Sequence, residues 1–253
     1  MPSKIIIKSA EQIEGIRESC RLAAKTLEFI GPIVKEGVST DFLDKSIDEY
    51  IRDHNGIPAP LNYKDFPKSC CISLNEVVCH GIPSKYTLKK GDILNVDITT
   101  IWKGYFGDTS KMFEVGETSA EAKRLISVAR QSLEIGISQS YPGNYFGNIG
   151  YEIGRFVHSK GFRVVRDYCG HGTGLKFHEE PQVNHFAEKN SGEVIVPGMV
   201  FTIEPMINAG THRTRLDKSD GWTARTADNR LSAQFEHTIL ITASGHEVLT
   251  VVD

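Results

Sequence analysis

Behind Ser9 the apolar residues Ile13, Ile16, Cys20, Ala23, Leu27 and Ile30 recur at intervals of three and four, the spacing that lines one face of a helix. Ser9 to Gln12 reads SAEQ, a capping box in which a hydroxyl and an amide three residues on satisfy each other's backbone N–H groups. A helix is therefore predicted from there, stopping at Gly31-Pro32. A second is predicted from about Ser39 to His54, with Leu43, Ile47, Tyr50 and Ile51 on one side. The pattern then changes to strand-like runs: CCISLNEVV (70–78), DILNVDITTIW (92–102) and YFGDTSKMFEV (105–115). After them the order restarts. TSAE at Thr118 to Glu121 is again a capping box, before a helix carrying Leu125, Val128, Ala129 and Leu133. Another follows with Ile149, Ile153, Phe156 and Val157, ending at Lys160-Gly161. Two late runs, EVIVPGMVFTIEP (193–205) and SAQFEHTILIT (232–242), read as strands.

The two halves superpose at a shift of about 106 residues. Leu27 falls on Leu133, Gly37 on Gly143, Ile47 on Ile153, Tyr50 on Phe156 and Ile51 on Val157. GDILNVD (91–97) matches GMVFTIE (198–204), and each has a carboxylate six residues after its glycine. The period is too long for a solenoid. It predicts an α+β fold of two halves, roughly 9–115 and 116–250, related by a pseudo-twofold within one domain spanning 1–253. Helices would cover one face of a mainly antiparallel, curved sheet.

Composition narrows the function. A net charge of −3 over 253 residues argues against a nucleic-acid partner, which a basic surface would serve. The first apolar stretch is only Ile5 to Ile7, too short for a signal peptide. The longest, VIVPGMVFTI, is broken by Pro197 and Gly198, so no membrane span is expected. Five cysteines, two of them adjacent (Cys70 and Cys71), and no C-x-x-C predict free thiols in a reducing, cytoplasmic setting.

Four carboxylates stand in or at the end of the strand runs: Asp97, Asp108, Glu204 and Glu236, two from each half. Acids are depleted in strands and costly to bury without a cation. Any one alone reads as an edge-strand or salt-bridged residue. All four together do not, because these strands hold no matching set of Lys or Arg; Lys111 is the nearest. Two divalent ions would neutralise the cluster, with Asp108 or Glu236 able to bridge. The segment CGHGTGLKFHEEP (169–181) supplies His171 between two glycines, able to complete a metal shell, and His178, able to donate to a substrate. His80, in VVCHGIP, is a third candidate, whereas His54, His158 and His185 read as ordinary satisfied histidines. One nitrogen among carboxylates suits Mn(II), Fe(II) or Co(II) as readily as zinc. Water held by two such ions ionises near neutral pH and can attack an amide or a phosphate ester; the absence of a basic groove favours the amide.

Five segments carry a wider likeness: SLNEVVCHGIP, ILNVDITTIWKGYFGDTSKMFEVG, YCGHGTGLKFHEEPQV, GMVFTIEPMI and WTARTADNRLSAQFEHTILIT. In this order and spacing the chain resembles the type I methionine aminopeptidases, from about Ser9 to Thr250. The resemblance implies the pita-bread fold and the removal of N-terminal methionine from nascent proteins whose second residue is small. It implies two divalent ions (Co, Mn, Fe or Zn) on Asp97, Asp108, His171, Glu204 and Glu236, bridged by Asp108 and Glu236. Glu204 would move the proton of the attacking water. His178 would bond the scissile carbonyl, and His80 the scissile nitrogen or the substrate beyond it. Tyr63, Phe66, Cys71, Phe177 and Trp222 would wall the methionine pocket, and a Na or K ion would sit on the carbonyls of Asn75 and Val77 and on Ser232. Phe66 stands where relatives often have Tyr, Pro60 where many bacterial ones have Cys, and the loop 211–221 is longer and more charged than its counterparts. About eight residues precede the first helix, which implies a minimal bacterial-type monomer working near the ribosome exit, without a dedicated ribosome-binding module. It also speaks against the proline-cleaving relatives, which usually add an N-terminal domain. A catalytically dead relative would have lost ligands, and all five are present.

Overall fold

The computed structural model describes residues 4–252. Four α-helices are α1 (Ala10–Ile30), α2 (Thr40–Asp53), α3 (Ala120–Ser138) and α4 (Phe146–Ser159). The α1 start is the capping box that the sequence predicts: Gln12 N donates to Ser9 Oγ, and Ser9 N to the Gln12 side chain. The second predicted box does not form, because the N-cap falls one residue later and position N3 is then Ala122, which has no polar side chain to reciprocate. Ser119, not Thr118, caps α3 by accepting from Ala122 N, while the Thr118 hydroxyl is taken by Glu114. Helices α2 and α4 are each 14 residues long and begin at Thr40 and Phe146, the offset of the repeat. The loops before them repeat too: Gly37 and Gly143 have φ of 85° and 86°, a left-handed conformation that only glycine adopts without strain.

In the N-terminal half a long hairpin (Ile93–Trp102 and Tyr105–Glu114) is flanked by Cys71–Leu74 and Ile57–Pro58. In the C-terminal half a five-stranded sheet runs in the order His246–Val248, His237–Ile241, Val200–Ile203, Gly170–Gly172, Glu179–Val183. The strand pairs of both are antiparallel. Leu27, Leu43 and Ile47 of α1 and α2 are buried with Ile72, Leu94 and Ile98 of the first sheet. Leu133, Ile149 and Ile153 of α3 and α4 are buried with Phe201, Ile203 and Ile239 of the other. At Gly107 a Cβ would lie 2.3 Å from Cys20 N, so this glycine lets the α1 backbone rest directly on the hairpin beside Asp108.

Three predicted strands are not continuous. The run 193–205 yields Val200–Ile203 only, followed after a gap by Met206–Asn208, and the run 232–242 yields Ser232–Gln234 and His237–Ile241. Pro205 has no N–H to give a ladder. The peptide of Glu236 leaves its own sheet and pairs with Ser110 of the other half, Glu236 N to Ser110 O at 3.1 Å. The run 70–78 also splits, at Asn75 with φ 50°. Beside this crossing Asn95 Nδ2 donates both to Ser110 Oγ (3.0 Å) and to the Gln234 carbonyl (2.9 Å).

Candidate metal centre

Period-two alternation sets the N-terminal contribution. In the hairpin register Asp97 faces Ser110 and Thr99 faces Asp108, which puts all four side chains on one face. Asp108 is buried, and its Oδ1 accepts from Thr99 Oγ1 at 2.8 Å. From the other half Glu204 arrives just past the end of its strand. Its N–H donates to His185 Nε2 (3.1 Å), Oε1 accepts from Thr202 Oγ1 (2.8 Å) and Oε2 from Gln234 Nε2 (3.2 Å). Glu236, buried, sits in the gap that crosses to Ser110.

His171 projects from the Gly170–Gly172 strand. A Cβ at Gly172 would meet Glu180 O at 2.2 Å, so the flanking glycine allows the neighbouring strand to close on it. His171 Nδ1 lies 3.0 Å from Gly172 O and donates to it, which leaves the Nε2 lone pair free. That Nε2 is 3.6 Å from Glu204 Oε1 and 3.7 Å from Asp108 Oδ2. Potential ligand atoms of Asp108, His171 and Glu236 all lie within 4.8 Å of one another. Asp97 and Glu204 line the same cavity of about 650 Å³.

Among the described residues no Lys or Arg forms an ion pair with any of the four carboxylates. Burial, then mutual repulsion, pushes Asp97, Glu204 and Glu236 well above the ordinary carboxylate range. Burial also raises Asp108 to about 7. His171 is lowered by burial to about 4 and is a neutral imidazole at physiological pH. Four hard oxygen donors and one imidazole, acidic and lacking a counter-charge, fit divalent cations.

Aromatic rings wall the cavity beside this centre. Phe66 and Trp222 meet edge to face at 5.2 Å, while the tilted pairs Tyr63–Phe177 and Phe177–His178 stand at 4.8 and 4.4 Å. Pro60 and Cys71 complete that wall. The His178 ring is 4.2 Å from that of His171, and its Nδ1 is 3.1 Å from the Tyr63 hydroxyl. Desolvation, then His171 and His80, hold it below the usual imidazole value. His80, with φ 55°, stands edge-on to Tyr168 and Trp222 at 5.5 and 5.9 Å, and burial lowers it to about 4. The sequence reading missed Cys79, Tyr168, Cys169 and Met206 as cavity residues; Met206, two residues beyond Glu204, could have been found by alternation. It read His185 as an ordinary satisfied histidine, which describes its burial but not its hold on Glu204.

Asn75, Val77 and Ser232 lie outside the cavity lining. Asn75 O accepts from Ser232 N at 2.9 Å, Ser232 Oγ donates to Asn208 at 2.8 Å, and Val77 pairs with Arg225 across a strand edge. The loop 211–221 contains a short strand, Thr214–Leu216, paired with Ala224–Thr226, and Asp217 meets Arg225 at 3.5 Å. The five cysteines are free, and no helix of the described residues is long and apolar enough to cross a membrane.

A fold of duplicated halves around a carboxylate-rich centre defines a metal-dependent hydrolase class, and residues 14–243 match the family model for metallopeptidase family M24, to which the chain belongs. It is 51% identical over 249 residues to the methionine aminopeptidase of Salmonella typhimurium, covering 98% of this chain and 94% of the relative. The crystal structure of the methionine aminopeptidase from Rickettsia prowazekii superposes with a TM-score of 0.97 at 47% identity, over 98% of this chain and all of that one. The prolidase from Pyrococcus furiosus gives a TM-score of 0.77 at 21% identity, over 98% of this chain and 66% of its own, a likeness of fold alone. The chain has the pita-bread architecture.

Proposed function

We propose that this chain removes N-terminal methionine from peptides and nascent proteins whose second residue is small. The observation that carries the reading is 51% identity to a methionine aminopeptidase over 98% of the chain, together with an aromatic and sulfur-lined cavity adjoining the acidic centre. Asp97, Asp108, His171, Glu204 and Glu236 would hold two divalent ions; Co, Mn, Fe and Zn all suit the donors. When bound, such ions neutralise the cluster and act as Lewis acids on water and on the scissile carbonyl.

The protein's own residues account for binding, orientation and proton movement. Tyr63, Phe66, Cys71, Phe177 and Trp222 offer soft, polarisable walls that a flexible thioether fills well. If the Tyr63 hydroxyl donates to His178 Nδ1, the ring proton rests on Nε2, the donor that a developing oxyanion needs. His80, held by Tyr168 and Trp222, would bond the scissile nitrogen or the substrate beyond it. Glu204, oriented by Thr202 and Gln234, would take the proton of the attacking water and pass it to the leaving amine.

The same reading makes residues 1–253 a single catalytic domain of two halves, a cytoplasmic monomer acting where chains leave the ribosome. Its monovalent cation site would be built from Asn75, Val77 and Ser232. Release of methionine from Met-Ala-Ser, with no hydrolysis of Gly-Pro, is the expected assay result. Preferential cleavage of Gly-Pro would replace this function with that of the proline-cleaving branch.

A further inference from the structure

Lys8 and Glu179 pair across 171 residues of sequence, and their side chains are only 1% and 2% exposed. Both carboxylate oxygens of Glu179 are engaged. Oε2 meets Lys8 Nζ, and Oε1 accepts from Leu175 N (2.7 Å) and Lys176 N (2.8 Å). Lys8 is itself anchored, its N–H donating to Gly198 O at 2.9 Å. The turn lies directly on this anchor. Gly174 has φ 117°, and a Cβ there would sit 2.4 Å from Ile16 Cδ1 and 3.5 Å from Lys8 Cε. On the other side Phe106 N donates to Gly174 O at 2.9 Å, and Thr173 Oγ1 to Phe177 O at 3.1 Å.

Phe177 and His178 immediately precede the fixed carboxylate. The His178 ring packs against those of His171, Phe177 and Tyr63, and its side chain hydrogen-bonds Tyr63, but its backbone belongs to the turn, so the course of that turn decides whether the ring reaches 4.2 Å from His171. Burying a charge pair is costly, and apolar contact would seal the same surface as well or better. What the pair adds is direction: it ties the turn, through both oxygens of one carboxylate, to the segment that enters α1.

We propose that Lys8 and Glu179 are positioning residues for turnover, fixing the 174–179 turn so that His178 stands at the edge of the metal centre. The inference rests on the reading of His178 as donor to the scissile carbonyl.

The test measures kcat, KM and metal content on the metal-reconstituted full chain for Lys8→Met and Glu179→Gln, each alone and combined with His178→Ala. Each single variant should lower kcat about 10- to 100-fold, the scale of a small misplacement, with KM and metal content little changed. In the His178→Ala background the same changes should alter kcat by less than about twofold, since residues acting through one group are not additive. Losses that multiply with that of His178→Ala, loss of metal, or unchanged kcat in the single variants would overturn the proposal. If His178→Ala leaves kcat unaltered, the oxyanion role itself fails, a result separable from the others. Should Lys8→Met not fold, Glu179→Gln decides, because it keeps the side-chain size and an acceptor for Leu175 and Lys176.

Discussion

In the N-terminal half Asp97 and Asp108 lie inside uninterrupted ten-residue strands, whereas in the C-terminal half Glu204 and Glu236 lie in two-residue gaps between short ones. The hairpin ladder fixes the backbone of both aspartates, with Cys71 pairing on the far side of Asp97 and Thr238 Oγ1 donating to the Asp108 carbonyl at 2.7 Å, and the Asp108 side chain adds a hydroxyl bond from Thr99. Glu204 has no ladder partner and is held by His185, Thr202 and Gln234. Glu236 is held by pairing with Ser110 across the halves. One copy of the repeat thus delivers short carboxylates by register. The other delivers longer ones from broken backbone, at the cost of an individual scaffold of side chains.

The largest test of this comparison removes one acid from each half. Asp108→Asn and Glu236→Gln should each lose metal, measured by elemental analysis, and about a thousandfold of turnover, the kinetic worth of several kcal/mol. Circular dichroism should be unchanged in both. If one of them keeps its activity, the halves do not contribute equally. His178→Ala should cost about a hundredfold in kcat, as loss of an oxyanion donor does, without loss of metal; metal loss there would place His178 among the ligands. Thr202→Val should weaken metal binding about tenfold, while Thr99→Val should cost less, because the ladder still holds Asp108. The reverse order would mean that strand continuity gives no protection.

The smallest effect is on the metal-free protein. Asp108 moves from an ordinary 3.8 to about 7 on folding, so the folded chain binds more protons than the unfolded one. Stability must therefore fall as pH rises from about 3.8 towards 7. The melting temperature of metal-free protein should be lower at pH 7 than at pH 5, and loading with Mn(II) should abolish the difference. A flat profile without metal would show that these carboxylates stay solvated.

Much of this was legible in the sequence because it is local. The SAEQ box, the apolar stripes of α1 and α2 and the alternation of ILNVD each encode their structure within a few residues. The repeat then placed four acids where the halves meet. The gaps at Glu204 and Glu236 were not legible, since the apolar pattern runs through them and only Pro205 marks a break. Nor were the partners of Glu204, because His185, Thr202 and Gln234 look like core residues until the tertiary fold brings them together. Cys79 and Tyr168 stayed hidden for the same reason: a cavity wall and a core have one composition. Lys8, in a segment without periodicity, gave no signal of its ion pair 171 residues away.

The crossing of Ser110 with Glu236, stitched by Asn95, makes the centre a property of the seam and of neither half. An ion captured there is gripped only while the halves stay docked, so occupancy and cohesion are thermodynamically linked. At a free-ion concentration ten times its dissociation constant, each such ion would add about 1.4 kcal/mol of resistance to their parting. Cells starved of metal would then hold a looser protein as well as an idle one.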